Sequence, residues 1–202
     1  MSTMREREAI AAFWSWVEVH HAQLERKDMA AATMEMFESK LFDVERFDWE
    51  ITAPRGALHL LTFSPSDRRG LSKARRLVAQ APRLPDWEFL AGKPAKNWSL
   101  TFRLERGSGS IDVDGTAWEF ITHELADGTC DVVLQPPPAQ GLSEEEADYA
   151  AFMIVDGELG EAARLERVGN IETSSRWTVE EQGSARRLEP GLLARVTRGS
   201  AR

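Results

Sequence analysis

The sequence predicts an α+β fold, on three observations. Apolar residues recur at helical spacing over residues 5–45. From about Asp48 the pattern changes to short β-rich runs. Between two such runs, over residues 57–92, lies one amphipathic helical stretch, the mark of a βαβ crossover. The expected build is a mixed, largely antiparallel sheet of about six or seven strands, with that one crossover, an N-terminal helix pair, and a further helix after a run of three prolines.

At about 100° per residue, Ile10, Phe13, Trp14, Val17, His21 and Leu24 share one face of the first helix. Met29, Thr33, Met34, Phe37, Leu41 and Val44 continue the pattern in the second. Alanines at 11 and 12 favour helix over strand for FWSWVEV. The ERKD segment separates the two helices, with Asp28 placed to cap the second. FDWEITA and GALHLLTF read as strands split by a PRG turn, and the second, apolar on both faces, reads as a central strand. In SPSDRRGLSKARRLVAQAP, Leu71, Ala74, Leu77, Val78 and Ala81 face inward and Pro82 closes the helix. LPDWEFLAGKP then returns as a strand beside the one before it.

The later part is antiparallel in character. WSLTFRLE alternates Trp98, Leu100, Phe102 and Leu104 against Ser99, Thr101, Arg103 and Glu105, and GSGS follows as a turn. TAWEFITHELADGTCDVVLQ holds two strand-like runs about Asp127-Gly128, the pair that favours a tight hairpin. PPPAQG stops the sheet. Ser143 and Glu146 form a capping box for a helix running through Tyr149, Phe152 and Met153 toward Gly157. The alternation of Ile171, Thr173, Ser175, Trp177 and Val179 reads as a last strand near an edge. No internal repeat is visible. The whole of 1–202 reads as a single domain with an ordered core over about 5–180 and a flexible C-terminal tail in which only LLARV can dock.

Composition bounds the class. With 42% hydrophobic and 29% charged residues the chain is of the kind that folds rather than stays disordered. A net charge of −8 repels polyanions, so neither nucleic acid nor an anionic membrane is expected as a partner. The lone Cys130 has no partner for an internal disulfide, and no CxxC is present, which fits a reducing cytoplasm. No apolar run approaches the roughly 20 residues of a membrane span.

Several short stretches carry a resemblance. FWSWVE on the first helix, LPDWEFLAGKP on a strand, and DGELGE followed by VGNIE are similar to the pattern of a family of small bacterial cytoplasmic proteins recorded only as hypothetical. The resemblance is scattered over residues 10–175. It implies an α+β fold and a bacterial setting, and it brings no reaction, cofactor or catalytic position.

For chemistry, the basic helix over 68–83 reads as a solvated amphipathic face, since no aromatic residues are interleaved with its cations. DVDG at 112–115 lacks the later ligands of a calcium loop and reads as a turn. No nucleophile elbow, dinucleotide fingerprint or phosphate loop is present, and no cofactor or metal is assigned. Asp156 breaks the apolar face suggested by Tyr149, Phe152 and Met153, and with Glu158 and Glu161 it crowds a helix C-terminus, where carboxylates are disfavoured. Pairing with Arg164 and Arg167 would account for this. If His123 joined Asp156 and Glu161, the three could instead bind a divalent metal or act as general acid and base.

FWSWVEVHH frames the other reading. Trp14 and Trp16 point roughly 160° apart on a helix, so Trp14 belongs to the core stripe with His21 at its margin. Trp16 and His20 are the candidates for a contact surface, although the second helix could equally cover Trp16. Two functions follow as expectations: a non-catalytic bacterial cytoplasmic protein, adaptor or immunity-like, that binds a protein partner or self-associates through its first helix; or a metal-assisted or acid/base enzyme built on His123, Asp156 and Glu161.

Overall fold

The computed structural model describes residues 4–25, 29–52, 58–107 and 109–199. The chain divides into two compact units, Met1–Lys93 and Pro94–Arg202, each with a buried core of its own. The single domain expected of residues 1–202 is therefore described unit by unit. Each unit combines helices with a mixed sheet, so the fold class is α+β.

The first unit runs α1 (Met4–Leu24), α2 (Ala31–Val44), β1 (Asp48–Thr52), β2 (His59–Ser64), α3 (Arg68–Val78) and β3 (Trp87–Ala91). The buried residues of α1 are Ile10, Phe13, Trp14, Val17 and Leu24, the stripe that helical spacing dictates, with His21 half-exposed at its margin. In α2 only Phe37 and Leu41 are fully buried, and Met34 turns outward. The cap of α2 is Ala30, with no side-chain bond; Asp28 and the PRG turn lie outside the described residues. Strand β2 is central, antiparallel to β1 and parallel to β3. Leu61, Thr62 and Phe63 are all buried there, as a strand covered on both faces requires. The crossover between β2 and β3 is α3, capped by Asp67, whose carboxylate accepts from the Gly70 N–H at 2.6 Å. Leu71, Ala74 and Leu77 face in, and Arg75 and Arg76 sit in the last turn, where cations complement the helix dipole.

The second unit runs β4 (Thr101–Arg106), β5 (Gly109–Asp114), β6 (Glu119–Glu124), β7 (Cys130–Gln135), α4 (Glu144–Leu159), α5 (Glu161–Arg167), β8 (Val168–Thr173), α6 (Val179–Gln182), β9 (Arg186–Arg187) and α7 (Leu192–Gly199). The hairpin of β6 and β7 turns at Gly128, whose φ of 83° suits glycine, and Ser143 and Glu146 close the expected capping box on α4.

Five expectations are corrected. The one mixed sheet is three among the described residues: β1-β2-β3, the β4-β5 hairpin, and β8-β7-β6-β9. Alternation identifies the faces of a strand but not its neighbours. A second crossover exists, because β7 and β8 are parallel and joined through α4 and α5. The alternation begun at Trp98 becomes strand only at Thr101, since Leu100 takes a left-handed φ of 62° and its carbonyl accepts from Gly115. The run from Ile171 to Val179 is an edge strand that ends at Thr173, after which Thr178 and Glu181 form a capping box for α6. The tail beyond 180 is structured as far as Gly199, because Leu188, Leu193 and Thr197 are buried and β9 pairs with β6.

Helix α4 also passes through Gly157 and stops at Gly160, whose φ of 76° makes it the C-cap. Gly157 is required by close approach instead. A Cβ there would lie 2.5 Å from the Trp98 ring. We expect Gly157→Ala to destabilise the second unit by about 1–3 kcal/mol through overpacking. Trp14→Ala should destabilise the first by about 3–5 kcal/mol. Urea unfolding of both variants checks this, and a wild-type midpoint for either would contradict its placement.

Candidate functional site

The acidic end of α4 resolves into separate pairs. Asp156 accepts from Arg164 Nε at 2.7 Å, both side chains being less than one-fifth exposed, and the Arg164 guanidinium lies over the Phe152 ring at 4.9 Å. The residue that broke the pattern is thus answered by the cation from the next helix. The apolar face expected from Tyr149, Phe152 and Met153 is not the buried one: Tyr149 and Phe152 face outward and Ala147, Ala150, Ala151, Ile154 and Val155 face the core. Glu161 is buried at the start of α5. His123 is exposed on β6, opposite Asp131 in the hairpin register and within electrostatic reach of Glu181 on α6. Among the described residues no three His, Cys, Asp or Glu side chains form a group able to hold a metal ion, and His123, Asp156 and Glu161 are not such a group.

The residue that stands out is Glu158, only 4% exposed. Its carboxylate accepts from Trp98 Nε1 at 3.3 Å and from the Gly191 N–H at 2.6 Å, tying α4 to the start of α7. Burial pushes its carboxyl above the usual carboxylate range, opposed by those two hydrogen bonds and by the charge of Arg195. Helical spacing could have found it: Glu158 stands four residues after Ile154 and seven after Ala151, within the buried stripe. The large aromatics Tyr149 and Phe152 mark the exposed face instead, the one that carries Asp156.

On α1 the opening motif divides as its helical angles require. Trp14 is 4% exposed, donates from Nε1 to the Leu77 carbonyl at 2.8 Å, and meets Phe13, Phe63 and Phe89 edge-on. Trp16 is half-buried. Its ring stacks on His20 with centroids 4.4 Å apart and touches Phe37 of α2 at 6.2 Å. The second helix therefore covers part of it. His20 Nδ1 donates to the Trp16 carbonyl at 2.8 Å, and His21 Nδ1 donates to the Glu18 carbonyl at 2.9 Å. One turn beyond Trp16, Val19 is 75% exposed, so Trp16, Val19 and His20 form one contiguous patch at i, i+3 and i+4 spacing.

Charge is unevenly divided. Acidic and basic residues balance within Met1–Lys93, leaving the whole −8 on Pro94–Arg202. In the first unit two cations of α3 are tied to carboxylates. Arg76 binds Glu6 at 2.8 Å and Lys73 pairs with Glu45; Arg76, Glu6 and Lys73 line a cleft of about 560 Å³.

No helix among the described residues is long and apolar enough to cross a membrane. No protein-family model, curated protein or solved structure matches this chain.

Glu158 gives a pH dependence with a definite sign. A carboxyl whose folded pKa lies above its ordinary value of 4.5 holds its proton more tightly in the folded state than in the unfolded chain. Stability attributable to it is therefore greatest below 4.5 and falls as pH rises through the raised value. Glu158→Gln should lose this dependence, so the advantage of the wild type over the variant should shrink from acid to neutral pH. Urea unfolding of both across about pH 4–8 measures it. An advantage that grew with pH would show that burial does not dominate at Glu158.

Proposed function

We propose that this is a non-catalytic binding protein of the bacterial cytoplasm, adaptor-like or immunity-like, that engages a protein partner or a second copy of itself through α1. The observation that carries the reading is the patch of Trp16, Val19 and His20. A rigid stacked pair lies beside a β-branched side chain that is three-quarters exposed. Aromatic anchors held in one rotamer lose little entropy on binding, which is why they dominate the energetics of interfaces. The bacterial setting is supported by the resemblance of FWSWVE, LPDWEFLAGKP and DGELGE, and the cytoplasm by a single buried cysteine. The acid/base reading loses its support because Asp156 is engaged by Arg164, His123 is exposed on β6, and the three side chains form no group able to hold a metal ion.

Val19→Glu is the variant to test, since an exposed position tolerates substitution within about 0.5 kcal/mol. It should fold with an unchanged melting temperature and lose association. Analytical ultracentrifugation of wild type and variant reads self-association. A photo-crosslinking residue placed at position 19, with one at exposed Glu88 as control, reads a partner. A wild type that stays monomeric and yields no adduct specific to position 19 would overturn the reading.

A further inference from the structure

We infer that the first unit carries a second site, a cleft at the C-terminal end of α2 that binds an organic cation, the alkylated ammonium or guanidinium head of a small molecule or of a basic side chain. The cleft has a volume of about 420 Å³ and presents the rings of Phe42, Phe47 and Trp49. Aromatic faces attract cations through their quadrupole, most strongly where water is partly excluded. Phe47 is 8% exposed and fixed in the core, whereas Phe42 is 60% exposed and forms the open wall.

The electrostatics of the walls agree with the rings. Glu38, Glu45 and Asp48 line the same cleft. Glu45 is engaged by Lys73, while Glu38 and Asp48 have no ion-pair partner among the described residues. The cleft also lies at the negative end of the α2 dipole, and that helix has no basic residue in its last turn to offset it. Three sources of negative potential thus converge on aromatic surface, a combination that selects positive charge with apolar substituents over a bare metal ion.

The chain already supplies a cation of this kind. The Arg46 guanidinium, itself on the cleft wall, lies over the Phe42 ring, 5.2 Å from its centroid. It marks the position that a ligand's cationic head would take, and it competes for it. This yields a consequence that a purely structural role for Phe42 and Arg46 does not share: removing Arg46 should strengthen binding.

The site does not depend on the α1 patch, and its test uses the full chain. Choline and ethylguanidinium serve as free cations, and a Gly/Ser peptide with blocked ends and one central arginine serves as the side-chain form. The neutral controls are 3,3-dimethylbutan-1-ol and the same peptide with citrulline. Binding is read by NMR from the Trp49 indole N–H, assigned through Trp49→Phe. The cations should shift it saturably at millimolar concentration and the neutral isosteres should not. Phe42→Ala should weaken binding about three- to tenfold, in line with one cation–π contact. Glu38→Gln should weaken it and reduce its salt dependence, and Arg46→Ala should tighten it. Tighter binding of the arginine peptide than of the free cations identifies a protein side chain as the source, and the reverse order a small molecule. No saturable shift, equal binding of the neutral isosteres, or indifference to both Phe42→Ala and Arg46→Ala would overturn the proposal.

Discussion

Burying an indole obliges its N–H to find an acceptor, and much of this structure is organised by that obligation. Five of the seven tryptophans meet it through contacts distant in sequence. Trp14 donates to the Leu77 carbonyl, Trp87 to Glu25, Trp98 to Glu158, Trp118 to Gln140 and Trp177 to Glu119. Each bond joins elements that the chain's local preferences would not bring together. The Trp14 bond holds α1 against the end of α3, and the Trp118 bond holds β6 to the turn after the prolines. An indole left unsatisfied in such a place would lose about 1–3 kcal/mol, so these bonds specify a packing as much as they stabilise it. Trp16 and Trp49 are the two whose N–H groups have no acceptor among the described residues, and they lie at the two surfaces proposed for binding.

The two units reach their cores by the same connectivity. In each, an antiparallel pair is followed by a helical crossover to a strand parallel to the second member: β1-β2-α3-β3 in one, and β6-β7 with α4 and α5 leading to β8 in the other. The flanking elements differ. The first unit covers its sheet with a helix pair whose aromatic residues meet each other and the sheet, Phe13 of α1 and Phe37 of α2 at 5.4 Å, and Phe37 and Trp49 of β1 at 4.6 Å between ring centroids. The second adds a separate hairpin and a terminal helix, and ties that helix down through Glu158. A buried carboxylate is an expensive tie. It is tolerable because two N–H donors meet its oxygens.

What could be read from sequence was what short-range periodicity encodes. The stripe of α1, the central strand His59–Ser64, the crossover α3, the turn at Gly128 and the capping box at Ser143 all rest on spacings of two to seven residues. The errors arose where a non-local contact decided the outcome. Gly157 looks like a helix stop until the Trp98 ring fills the space where its side chain would be. Tyr149 and Phe152 look like a core face until the small residues on the opposite side prove to be the ones that admit close packing. The common connectivity of the units was invisible because pairing order leaves no trace in composition or period. The cation cleft was hidden for a similar reason: Phe42 lies off the apolar stripe of its helix, and its meaning depends on Trp49 across a turn and on carboxylates from three segments.

The distribution of charge links these features to function. A global charge of −8 suggests a surface that repels anions everywhere, yet none of that excess belongs to Met1–Lys93. There, local arrangement decides. Lys73 and Arg76, which in sequence look like part of a basic face, are drawn to Glu45 and Glu6, so they brace α3 against its neighbours. This leaves Glu38 and Asp48 without an ion-pair partner among the described residues, in the cleft that Phe42 and Trp49 line. The ligand preference of the first unit is therefore set by the side chains that line this cleft, and the sign of that preference is opposite to the one its basic helix suggests.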